Sequence, residues 1–197
     1  MTENRTVQGL TSFFTLVALN LIHVVACLPV ITIGAASAAL LETMDAVRQN
    51  PDTDMLRTYG HALKTDTLRG SIVFWAIALP AALAAFAVRF WWSTGGAPGA
   101  IAAVIAALLA LYLAASAVHG LLLVATRDTT ASRTIHNALL LPAVVPARSL
   151  FLVLVPITEV ALAIALPPSL IIILTVGLAV GALLQSAIAA PLYARLS

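Results

Sequence analysis

Glu159 is the residue of this chain whose position most needs a chemical reason. It lies inside the apolar run between Arg148 and Leu166, away from both ends. An acidic side chain within a membrane span costs several kcal/mol unless it is paired, protonated or faces a cavity. It therefore fits a proton or cation site, a polar contact to a substrate, or a structural pair. Arg89 is the odd basic residue, beside Trp91 and Trp92. Arginine snorkels to the interface and tryptophan forms interfacial belts, yet a Glu159–Arg89 pair is also open. Asn20 and His23 are three residues apart, hence on one helix face. With His119 and Gln185 they fit interhelical hydrogen bonding. A sharper expectation is a polar intramembrane site lined by Asn20, His23, Arg89 and Glu159. The chain contains no GxxxxGK[ST] loop, no HExxH and no GxSxG. Its four histidines lie far apart, and its one cysteine, Cys27, excludes an internal disulfide or a cysteine-based zinc site. No catalytic residue, metal or cofactor is expected, and the chain is read as not an enzyme.

The elements that must hold these residues follow from composition. The 197 residues are 61% hydrophobic and only 9% charged, with a mean hydropathy of +1.05. Soluble domains carry about a quarter charged residues, so the solvent for most of this chain must be lipid. The net charge of +2 comes without a basic stripe, which argues against nucleic acid as a partner. Basic residues instead collect in cytoplasmic loops of membrane proteins.

Apolar runs at about 8–28, 30–49, 70–92, 99–126, 147–166 and 169–193 predict an all-α, polytopic transmembrane helical bundle forming a single domain. Leu28-Pro29, Ser93 to Pro98 and Leu166-Pro167-Pro168 are short proline-bearing breaks, so the runs read as three hairpins in series. The segments 50–69 and 127–146 carry Arg57, Lys64, Arg69, Arg127 and Arg133. They and the C-terminus, with Arg195, are expected in the cytoplasm. The side holding Arg5 depends on whether 30–49 crosses. If it does, there are six spans and the N-terminus is cytoplasmic. If it is re-entrant, there are five. The first run also resembles a signal peptide, with a lipoprotein-like Val24-Val25-Ala26-Cys27. His23 and the hydrophobic continuation favour a retained helix.

Two cytoplasmic amphipathic helices are expected. In 55–68, Met55, Leu56, Tyr59, Leu63 and Thr67 recur at helical spacing, which predicts a helix on the membrane surface. Ile135, Leu139 and Leu140 predict another over 132–141. Gly34 with Ala38, and Gly177 with Gly181, form small-residue steps that let helices pack closely.

Asn20-Leu21-Ile22-His23 through Leu28-Pro29-Val30-Ile31-Thr32-Ile33-Gly34-Ala35 resembles the N-terminal signature of YesL-like bacterial membrane proteins. That signature has an Asn-bearing first helix, then Leu-Pro-x-x-Thr-x-Gly and a small-residue helix. Asn137-Ala138-Leu139 and Pro146-Ala147-Arg148-Ser149 are similar to that family's second cytoplasmic segment and next span entry. His23 departs from the aromatic expected there, so no role is carried over to it. Physically, Pro29 ends the first helix, Thr32 satisfies freed backbone groups and Gly34 permits close return of the chain.

The resemblance implies a multi-pass bacterial inner-membrane protein of unknown molecular function. Members are often encoded beside carbohydrate ABC-transport components, which implies an accessory role in solute uptake. An ABC permease or a second copy would be the partner, besides the lipid bilayer. The runner-up is a small solute transporter using the site around Glu159. A third reading is a scaffold or regulator without a ligand.

Overall fold

The computed structural model describes residues 2–193, with side chains described for 9–192. Arg195 and the side chain of Arg5 lie outside the described residues. Helix α1 (Thr2–Cys27) ends where Leu28-Pro29 follow, and a single 3₁₀ turn (Val30–Thr32) leads into α2 (Ile33–Gln49). Then come α3 (Met55–Thr94), α4 (Gly96–Thr126), α5 (Ala131–Val144) and α6 (Pro146–Ala165). The last passage joins α7 (Ser169–Ile172), a π-helical segment (Ile173–Gly177) and α8 (Leu178–Tyr193). All regular elements among the described residues are helical. Six of these stretches are long and apolar enough to cross a membrane. The segment Val30–Gln49, for which a re-entrant path was open, is one of them.

That segment has the lowest hydropathy of the six and the largest buried share, 50%. Its small residues explain both. Gly34, Ala35, Ala36, Ala38 and Ala39 are all buried, and α2 packs on α3, α4 and α8. At the crossing with α3, a Cβ on Gly34 would collide with Cβ of Phe74 and the carbonyl of Gly70. Ala35 Cα would lie 2.8 Å from a Cβ on Gly70. Two backbones thus touch at a glycine from each helix, as close packing in lipid requires.

The expected surface helix over 55–68 is corrected. It is the first part of α3, an unbroken helix of 40 residues that continues through the span. Asp54 caps its start, its carboxylate accepting from the Arg57 amide at 3.1 Å. Most of the apolar stripe packs on protein, while Leu56 and Thr67 stay exposed. Tyr59 and Ala62 are each 1% exposed, and Met55 and Leu63 pack against the same core. No proline or glycine pair interrupts 64–70, so nothing in the chain stops the helix there. The second expected helix does stand apart, as α5.

The turn between α3 and α4 is a two-glycine reversal. Gly95 has φ +69° and ψ 178°, and Gly96 has φ +72°. That first conformation belongs almost solely to glycine. Pro98 then sits in the first turn of α4, where its missing N–H removes no helix bond.

Candidate functional site

The helices leave an open-sided cleft of about 790 Å³ between α2, α3, α4, α6 and α8, with His23 of α1 at its wall. The wall is mostly apolar, built from residues such as Phe74, Val118, Leu121 and Val160. Four polar side chains reach it: His23, Ser37, Glu159 and Gln185. Glu159 is half-buried and makes no hydrogen bond or ion pair with another described residue. Its carboxylate lies over Gly181, in the space that a Cβ there would occupy. Gly181 therefore gives room to an acid. Gly177 sits in the π-helical segment, and the nearest atoms a Cβ there would meet belong to Ile173 and Ile172, at ordinary distances. Of the two glycines of this step, Gly181 is the one set closely against α6.

The four residues expected to form one polar site are not brought together. Arg89 is exposed, lies off the cleft and makes no ion pair among the described residues. Asn20 is fully buried and serves the backbone of the last passage. Its Nδ2 donates to Ile173 O at 3.2 Å, and its Oδ1 accepts from the Ala179 amide at 2.9 Å. A π-helical turn displaces the usual i→i−4 bonds, and one carboxamide serves the carbonyl of its first residue and an amide just beyond its end. His23 has Nδ1 3.3 Å from the Tyr59 hydroxyl and Nε2 3.6 Å from Cys27 Sγ. The two rings meet edge to face. Their contact ties α1 to the first part of α3.

Gln185 answers a vacancy left by proline. Pro156 inside α6 has no N–H, so the Leu152 carbonyl four residues earlier lacks its helical donor. Gln185 Nε2 from α8 donates to that carbonyl at 3.1 Å. His119 Nε2 pairs with Ser149 Oγ at 2.8 Å, joining α4 to α6. The entry to α2 is held similarly. Thr32 Oγ1 donates toward Ala26 O and Pro29 O, each at 2.6 Å, and Trp75 Nε1 donates to Ile31 O at 3.2 Å.

Arg69 is the polar residue whose role sequence reasoning missed, counting it only as a positive charge. Its Nη1 donates to Arg127 O at 2.7 Å and Thr129 O at 3.0 Å, and Nη2 donates to Val124 O at 2.7 Å. Asp66 Oδ1 lies 2.9 Å from Nε. A guanidinium thus closes the carbonyl end of α4, where helix dipoles favour cations. Asp66 three residues before Arg69 was the one available signal. Among the described residues, no group of three or more His, Cys, Asp or Glu is placed to hold a metal ion.

Six long apolar helices around a largely apolar cleft mark an all-helical membrane protein. A family model described as "Protein of unknown function, DUF624" matches residues 16–88. That stretch covers the end of α1, all of α2 and most of α3, including Asn20, Gly34, Tyr59 and Arg69. No curated protein and no solved structure matches the chain.

Proposed function

We propose that this protein is a non-enzymatic membrane component that binds a small molecule in the cleft beside Glu159 and carries it across or out of the bilayer. The observation behind this is the cleft itself. Its volume falls within the range of small-molecule sites, about 300–1,000 Å³, and it holds a carboxylate that the described fold leaves without a partner. A purely structural acid in lipid should instead be paired. His23, Gln185 and Asn20 all are engaged in this way, which sets Glu159 apart.

The setting of this reading is a bacterial inner membrane. The basic connectors and both termini face the cytoplasm, by the bias of arginine and lysine near span ends. Reconstitution of the purified chain into liposomes tests the function. Saturable uptake from a panel of labelled sugars, amino acids and organic amines, abolished by Glu159→Gln, is the expected result. Uptake that is absent for every class, or indifferent to that substitution, overturns it.

A second reading draws on the family match over residues 16–88, which spans the YesL-like signature. In it the chain is an accessory to a carbohydrate ABC permease, or associates with itself as a scaffold or regulator. Co-purification of a permease from native membranes, together with no flux by the isolated protein, would favour that role.

A further inference from the structure

We infer that the ligand of the cleft is an amphipathic organic cation, entering sideways from the lipid and held through its positive charge by Glu159. This rests on the reading of the cleft as a ligand site and adds the class of ligand.

The charge comes first. Among the described residues, Glu159 is the only acidic side chain lining the cleft, and no lysine or arginine lines it. An acid drawn into apolar surroundings must be protonated, face a cavity or meet an opposite charge, and among the described residues none supplies that charge; a ligand cation would. The side chain also packs on the protein. It fills the room left by the absent side chain of Gly181, with Val155 of its own helix beside it. A ligand cation would thus meet an acid packed against Gly181, and complementary charge gives specificity.

The body of the ligand follows from the walls. Phe74, Val118, Leu121 and Ile173 present aromatic and aliphatic surface. A sugar would strand its hydroxyls here. Of the three other polar lining residues, His23 and Gln185 are already bonded within the protein, leaving Ser37. An apolar skeleton loses nothing by leaving hydrocarbon for such walls, so selection falls on the charge.

The route follows from packing. Helix α6 packs on α4 and α8, and α3 also lines the cleft. Ile157, Val160 and Ile164 of α6 line the cleft and yet stay 43%, 59% and 78% exposed. They are a rim shared by the cleft and the outer surface of the bundle. In a spanning bundle that surface is bathed by acyl chains, where amphipathic cations accumulate.

Equilibrium binding to the full chain in nanodiscs tests this, with empty nanodiscs subtracted. The probes are tetraphenylphosphonium and its neutral relative triphenylphosphine oxide. Saturable binding of the cation is expected, weakened at least tenfold in Glu159→Gln, with binding of the neutral probe unchanged by that substitution. Gly181→Leu fills the same space and should abolish binding of both. Each variant is first shown to be monodisperse and to melt like the parent. If both probes bind equally to the parent and Glu159→Gln changes neither, the cation class is overturned while the cleft remains a ligand site. If neither probe binds saturably, the ligand-site reading falls as well.

Discussion

Replacing Arg69 by methionine should loosen the whole junction between α3, α4 and α5. The substitution keeps an unbranched stem and removes every donor. Three hydrogen bonds vanish, those to Val124, Arg127 and Thr129. At about 1 kcal/mol net for each, the loss is about 3 kcal/mol. A charged donor bonds more strongly than this, but the side chain keeps 17% exposure, so water replaces part of what is lost. For a chain of this size, 1 kcal/mol shifts the melting midpoint by about 2–4 °C, giving a fall of about 6–12 °C. Thermal unfolding in one fixed detergent measures it, with amide exchange over 124–134 as the local readout. Exchange should quicken there first, because those carbonyls hold the loop to α3. Lysine at the same position should recover less than half of the loss. Its single ammonium keeps the charge but lacks the planar fork that reaches Val124 and Arg127 together. A methionine variant melting within 2 °C of the parent, with unaltered exchange at the junction, would refute the capping role.

Further outcomes are expected elsewhere. Asn20→Leu removes both backbone contacts of the π-helical segment and should lower stability by about 1–2 kcal/mol, seen as faster amide exchange over 173–179. Gln185→Leu should cost about 1 kcal/mol by leaving the Leu152 carbonyl without a donor, and Pro156→Ala in the same chain should restore most of it by supplying that donor within α6. Gly95→Ala forces a Cβ into a glycine-only conformation and should cost about 1–3 kcal/mol, read as a lower midpoint in the same melt. In a Cys27→Ala background, Gly96→Cys should react with an impermeant thiol reagent from outside intact cells, and Asp128→Cys only after permeabilisation. The opposite labelling would invert the proposed orientation.

Sequence reasoning reached the helical class and the apolar runs long enough to cross a membrane because hydrophobic length is a local property. Each run carries its own signal, and Leu28-Pro29 and Leu166-Pro167-Pro168 punctuate it where helices do end. What escaped it was pairing. The stripe of Met55, Tyr59 and Leu63 has the same spacing whether it meets headgroups or other helices. Only the partner decides, and here the partners are His23 and α2. The polar site was half legible for the same reason. His23 and Glu159 do line one cleft, but Asn20 turns to the backbone of the last passage and Arg89 stays outside. Nothing near Arg89 or Asn20 in the chain records which helix lies 150 residues away. Gly177 and Gly181 share one motif and have different surroundings, a distinction that spacing cannot carry.

The connectivity of the bonds around α3 also sets an order in time. Tyr59 leans on His23, and Gly70 on Gly34 and Ala35, partners made before it by the ribosome. As domains form in the order of synthesis, the first turns of this long rod emerge into a docking place already present. Arg69 is the opposite case. All its carbonyl acceptors come more than fifty residues later, so its guanidinium waits until α4 has been threaded back. Until that late latch closes, Asp66 on its own helix is the only one of these partners already beside it.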